Sequence, residues 1–179
     1  MAHDDYLARI DRMLASLQLP AGAVAARGLP LQTEATELAV AEIGDDGLEH
    51  LLIPPAADAW RAMRAAARAG GIDLRIVSAY RDLERQARIV RKKLARGQTP
   101  EEIFRASAPP GYSEHHTGCA VDVRTEGSQP LEEEFERTDA YRWLEARAAG
   151  FSFALSYPRG NSAGFMFEPW HWCFRTQFA

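Results

Sequence analysis

Apolar positions recur along this chain with two different periods, and the changes of period mark its elements. Tyr6, Ile10, Met13, Leu14 and Leu17 share one helical face and predict a helix over 4–18. Pro20, Gly22, Gly28 and Pro30 read as a loop. The apolar runs at 38–43 and 48–53 flank Gly44-Asp45-Asp46-Gly47 and predict a hairpin. Pro55 suits the opening of a helix that carries Trp60, Met63 and Ala67 and stops at Gly70-Gly71. Residues 72–79 predict a strand. Leu83, Ala87, Val90 and Leu94 predict a helix over 82–97, and Thr99 with Glu102 forms a capping box for one more short helix. Ala108-Pro109-Pro110-Gly111 reads as a loop, 120–123 as a strand and 138–149 as a helix ended by Gly150. Strands at 151–155 and 170–174 close the chain. Because helices and strands do not alternate regularly, the expected class is α+β, with a mainly antiparallel sheet flanked by helices.

The length of 179 residues suits one domain, and neither an internal repeat nor a low-complexity linker divides it. The expectation is a single unit over 1–179, an N-terminal helix-and-hairpin extension over 1–54 leading into a core over 55–179. Hydrophobic residues at 46% supply that core. A net charge of −4, with cations scattered among acids, argues against nucleic acid as a partner. The basic stretch 85–96 reads as the solvated face of a helix. No apolar run approaches the roughly 20 residues of a membrane span. The first residues lack the apolar segment of a secretory signal, so the expected compartment is the cytoplasm if Met1 is the native start. The cell envelope or periplasm is the alternative if an export signal has been removed. Cys119 and Cys173 are too few for a disulfide framework; two free thiols are expected, one bridge remaining open.

Two short segments concentrate histidine and acid. His115, His116 and Asp122 lie between Ser113 and Asp122, and Glu168 stands three residues before His171. Zinc in hydrolases takes three protein ligands and keeps one open position. His115, Asp122 and His171 can supply three, with Gly118 permitting a bend between the first two. Glu168 can then act as a general base that takes a proton from the attacking water and returns it to the leaving amine. Each residue also has an ordinary reading: a packed or surface histidine, an aspartate at a turn or cap. Together the two clusters favour a metal site. A ligand set that includes a cysteine is the minor alternative.

The motifs carry a resemblance. Ser113, His115, Gly118, Ala120 and Asp122 match the S-x-H-x-x-G-x-A-x-D pattern of the VanY-like zinc D-alanyl-D-alanine carboxypeptidases, which belong to the LAS-type metallopeptidases. Glu168, His171 and Trp172 match their E-x-x-H-W pattern. Ser78-Ala79-Tyr80-Arg81 with Gln86 resembles their S-x-Y-R…Q segment, and Pro110-Gly111 precedes the zinc motif as it does there. The resemblance spans residues 72–174. It implies the LAS or Hedgehog-like fold, with one zinc ion held by His115, Asp122 and His171. It also makes Glu168 the base and Arg81 the cation that stabilises the carbonyl oxygen or anchors the substrate. Gln86 and Ser113 fall at positions that line a substrate cleft; Tyr80, Tyr157 and Trp170 are cleft or core aromatics. His116 reads as a neighbour that points away from the metal, supporting it or exposed.

The implied function is a zinc carboxypeptidase releasing terminal D-alanine from peptidoglycan stem peptides or muropeptides. The absent export signal leans the expectation toward an L,D-enzyme acting on tetrapeptides. The alternatives are a D,D-carboxypeptidase acting on pentapeptides ending in D-Ala-D-Ala, an endopeptidase, and a non-catalytic zinc-binding domain. Glu168 and Arg81, expected only where chemistry occurs, speak against the last. The endopeptidase reading requires a cleft without a cation for a free C-terminal carboxylate.

Overall fold

The structure, a computed structural model, describes residues 2–175. Met1 and residues 176–179, the ends of the expected unit, lie outside the described residues. Helix α1 (Ala2–Ser16) buries Ile10 and Leu14, followed by Leu17, because these recur at helical spacing. They meet Leu83, Ala87 and Val90 of α4 (Leu83–Ala95) and Ile103 and Phe104 at the end of α5 (Pro100–Phe104). Arg9 of α1 ties this packing to the chain beyond it through Glu34 and Glu84, each at 2.6 Å. The stretch read as a loop after Pro20 contains a short helix, α2 (Ala21–Ala25). Proline suits a helix start, and Val24 gains burial against the same cluster.

The predicted hairpin forms as β1 (Ala39–Ile43) and β2 (Glu49–Leu52), antiparallel, with Gly47 at φ 78° in its turn. Ala41 and Leu52 pack on Trp60 and Met63 of α3 (Pro54–Ala69) in the main core. Glu42 is buried there. Its carboxylate accepts from Trp60 Nε1 at 3.1 Å and from the Ile76 amide at 3.3 Å, joining the hairpin to α3 and to β3 (Arg75–Ser78).

The second sheet runs β3, β4 (Ala120–Arg124), β6 (His171–Phe174), β5 (Phe153–Leu155), with every pair antiparallel. The α+β class is thus the observed one. Register matters for the site. Ser78 stands opposite Asp122, and Asp122 stands opposite His171, so one transverse row crosses three strands. Directly opposed residues present their side chains on the same face.

The capping box predicted at Thr99 and Glu102 is present at α5, and Asp82 caps α4 by accepting from the Arg85 amide. Thr138 caps α6 (Asp139–Arg147). Gly150 does not end this helix: a 3-10 turn, Ala148–Phe151, runs through it, and Ser152 at φ 62° makes the break. Two further 3-10 turns, Glu114–Thr117 and Glu133–Arg137, have no apolar periodicity that a sequence reading can detect.

Candidate active site

Three elements deliver the candidate metal ligands. Asp122 comes from the centre of β4, His171 from the start of β6, and His115 from the 3-10 turn that precedes β4. Gly118 makes the return from that turn possible. It adopts φ 68°, its carbonyl accepts from the Ile53 amide at 3.0 Å, and a Cβ there would stand 3.1 Å from that same nitrogen.

All three side chains are buried, and their donor atoms lie within 4.8 Å of one another. His115 Nδ1 donates to the Ala79 carbonyl at 2.7 Å, which fixes the tautomer and leaves Nε2 with a lone pair. That Nε2 is buried without a hydrogen-bond donor and faces Asp122 Oδ2 at 3.2 Å. Burial, reinforced by the Arg81 charge, lowers the His115 pKa to about 4 and keeps the ring neutral. Two acceptors in such contact need a cation or a proton between them.

His171 Nδ1 meets Asp122 Oδ1 at 2.9 Å, and its Nε2 meets Glu114 Oε2 at 3.0 Å. Burial opposes charge on this ring, yet the two carboxylates push its pKa up to about 10. Positive charge is therefore demanded at this point. Burial alone would raise Asp122; His115 and His171 reverse that and hold it well below the ordinary carboxylate range. A nitrogen, an oxygen and a nitrogen converging in this way fit zinc. Its ligands sit at about 2.0–2.2 Å from the ion and so about 3.3 Å from one another in a tetrahedral site.

Glu168 and Arg81 flank this group. Glu168 lies 3.9 Å from His171 Nδ1, held by its own amide on the Tyr157 carbonyl at 3.1 Å. Among the described residues its carboxylate receives no protein hydrogen bond, and burial, partly countered by His171, raises its pKa to about 7. Such a group accepts and returns a proton near neutrality. Arg81 is partly buried, with Nη1 on Ser78 Oγ at 3.2 Å and 3.8 Å from Asp122 Oδ2, while its buried Nε lacks a partner.

These residues line one cavity with Gln86, Ser113, Tyr157 and Trp170. Gln86 Nε2 donates to the Ala108 carbonyl at 2.7 Å, leaving Oε1 free of partners. Tyr157 lies against the His171 ring, centroids 4.7 Å apart. Tyr80 does not line this cavity; it borders a separate surface depression with His50 and Arg85.

Of the two sequence readings of His116, supporting or exposed, the structure shows a fully buried ring that supports the site, although the turn around it is 3-10 rather than extended. Its Nδ1 donates to the Arg81 carbonyl at 2.6 Å and its Nε2 accepts from the Gly111 amide at 3.1 Å. It clamps the Arg81 segment to the turn that carries His115. Cys119 and Cys173 are both free thiols, and the candidate metal group contains neither.

One contributor escapes sequence reasoning. Glu114 anchors His171 from behind, and is itself held by Ser156 Oγ at 2.6 Å and Arg175 Nη2 at 2.8 Å. Burial would raise its pKa, but the hydrogen bond and charge of His171, aided by Ser156 and the Arg175 charge, hold it far below the ordinary carboxylate range. The only signal in the sequence was an acidic residue beside His115.

Residues 49–177 match the sequence profile of VanY, described as D-alanyl-D-alanine carboxypeptidase. The chain belongs to this family. A D-alanyl-D-alanine carboxypeptidase of Enterococcus faecalis is 34% identical over 117 residues, covering 60% of this chain and 42% of that protein. Among solved structures, the LdcB LD-carboxypeptidase superposes with a TM-score of 0.71 at 29% identity, covering 81% of this chain and 71% of that one. A mutant of the vancomycin resistance D,D-pentapeptidase VanY, in complex with Zn(II), gives 0.63 at 29% identity, with 82% of each chain covered. The chain spans less than half the length of the first curated relatives that it matches. Within this VanY-family chain, the match includes Ser78, Asp122 and His171 of the transverse row, together with Arg81, Gln86, His115 and Glu168 of the cavity.

Proposed function

We propose that the protein is a zinc carboxypeptidase that releases a C-terminal D-alanine from peptidoglycan stem peptides. The observation that carries this reading is the convergence of His115, Asp122 and His171 beside a free carboxylate and a partly buried guanidinium in one cavity. His115 through Nε2, His171 through Nδ1 and the Asp122 carboxylate would hold the zinc. When bound, zinc supplies a Lewis acid that polarises the scissile carbonyl and acidifies water.

The chain's own groups do the rest. Glu168 accepts a proton from the attacking water as its oxygen adds to the carbonyl carbon. As the C–N bond breaks, Glu168 delivers that proton to the departing nitrogen. Products are D-alanine and a peptide shortened by one residue. Arg81 presents fixed N–H donors to the carbonyl oxygen as negative charge develops there. Its guanidinium remains charged even when buried. Glu114 holds the His171 ring in orientation, and the Ala79 carbonyl does the same for His115.

Two substrates fit this chemistry. Similarity to the LD-carboxypeptidase, at the higher of the two TM-scores, favours a tetrapeptide ending in a single D-alanine. The family profile and the Enterococcus faecalis relative favour the D,D-reading, a pentapeptide ending in D-Ala-D-Ala. Mass spectrometry of defined tetra- and pentapeptides with zinc-loaded enzyme separates them. Faster loss of D-alanine from the tetrapeptide is the expected result. Conversion of pentapeptide to a persisting tetrapeptide would reverse the preference, and release of neither would reject the carboxypeptidase reading.

A further inference from the structure

The cavity holds a second cation that no step above uses. Lys93 stands on the wall formed by α4, two helical turns beyond Gln86. Its ammonium donates to Ser107 Oγ at 2.7 Å, which leaves two of its three N–H donors unspent on protein side chains. Among the described residues no carboxylate forms an ion pair with it. Ser107, having accepted from Lys93, retains its own hydroxyl hydrogen as a donor.

Three hydrogen bonds fasten the walls together on this side. They are Gln86 to the Ala108 carbonyl at 2.7 Å, Lys93 to Ser107, and the Met166 amide to the Arg105 carbonyl at 2.8 Å. The segment 105–108 is therefore joined both to α4 and to the loop that carries Glu168. Lys93 is half-buried, and the carboxylate of Glu168 and the charge of Arg81 both act on it.

The two cations differ in what they face. Arg81 lies 3.8 Å from Asp122 and bonds to Ser78, in the row of the metal ligands, which suits it to the scissile carbonyl. A residue leaving by its amine ends in a carboxylate one residue beyond that carbonyl. We propose that Lys93, together with the Ser107 hydroxyl, binds this free C-terminal carboxylate and so makes the site exopeptidic. This inference rests on the carboxypeptidase reading and assigns its leaving-residue subsite. A compact ammonium with spare donors suits a carboxylate, and a hydrogen bond between two ionised groups is stronger than one between neutral groups.

The test compares two stem peptides, one ending in D-alanine with a free acid and the same peptide ending in D-alaninamide. Zinc-loaded wild-type enzyme and Lys93→Met are assayed on both, with zinc content and thermal melting as controls. The wild type is expected to prefer the acid. In Lys93→Met that preference falls by about 10- to 100-fold, carried mainly by KM, because the contact is made equally in ground and transition states. An acid-to-amide ratio equal to that of the wild type would overturn the proposal, however much total activity falls. Lys93→Gln gives the same comparison if the Met variant does not fold.

Binding of free D-alanine and of D-alaninamide, followed by NMR on wild type and variant, does not depend on turnover. Selective loss of D-alanine binding in the variant supports the assignment, and equal binding overturns it. Cleavage of neither peptide by the wild type would instead reject the carboxypeptidase reading, and the binding comparison would still decide the role of Lys93.

Discussion

Glu114 Oε2 stands 3.0 Å from His171 Nε2, on the side of the ring opposite the Asp122 carboxylate. The imidazole is thus gripped at both nitrogens, and Nδ1 is the one turned toward His115 and Asp122. Removing the rear carboxylate leaves the ring free to rotate and less basic. We predict that Glu114→Ala weakens zinc affinity by about 10- to 100-fold, the usual effect of losing a hydrogen-bond partner behind a ligating histidine. Competition against a chromophoric chelator measures it. Unchanged affinity would show that Glu114 does not position the ring.

Glu168→Gln is expected to keep zinc and lose turnover by about 10²–10⁴-fold, since the amide cannot accept the proton. The comparison is zinc content against kcat in variant and parent. Turnover within about threefold of the parent would remove Glu168 from the base role.

Arg81→Lys keeps the charge and loses the planar fork. We expect kcat/KM to fall by about 10²-fold, the order seen when one oxyanion donor is removed. An unchanged kcat/KM would reassign Arg81 to its structural contacts with Ser78 and Asp122.

Gly118→Ala tests the turn between two candidate ligands, His115 and Asp122. The new Cβ would stand 3.1 Å from the Ile53 nitrogen with φ at 68°. A loss of about 1–3 kcal/mol is expected, or roughly 2–4 °C in Tm for each kcal/mol in a chain of this size. Thermal melting reads it directly. A variant as stable as the parent would mean that the turn relaxes without cost.

Legibility in the sequence followed the range of the interactions involved. The capping box at Thr99 and Glu102, the hairpin around Gly44–Gly47 and the amphipathic α1 and α4 are local, and each was readable from spacing alone. The candidate ligands are legible because two motifs carry them. What was hidden depends on contacts across the chain. Glu114 gains its place only when Ser156 and Arg175 come alongside. His116 becomes a buried clamp only when the Arg81 carbonyl and Gly111 amide meet it. Lys93 reads as part of a solvated basic face because the cavity it lines is completed by Ser107 and Met166, which lie outside α4 and meet it only in the fold.

The most direct measurement is D-alanine release from a defined stem peptide by enzyme stripped of metal and titrated with zinc. No release is expected before zinc is added, followed by a linear rise that stops near one equivalent per chain. Glu168→Gln is expected to take up the same equivalent and to release D-alanine at least about 10²-fold more slowly. Full activity in the metal-stripped enzyme, or zinc uptake that survives the combined loss of His115 and His171, would contradict the zinc carboxypeptidase reading.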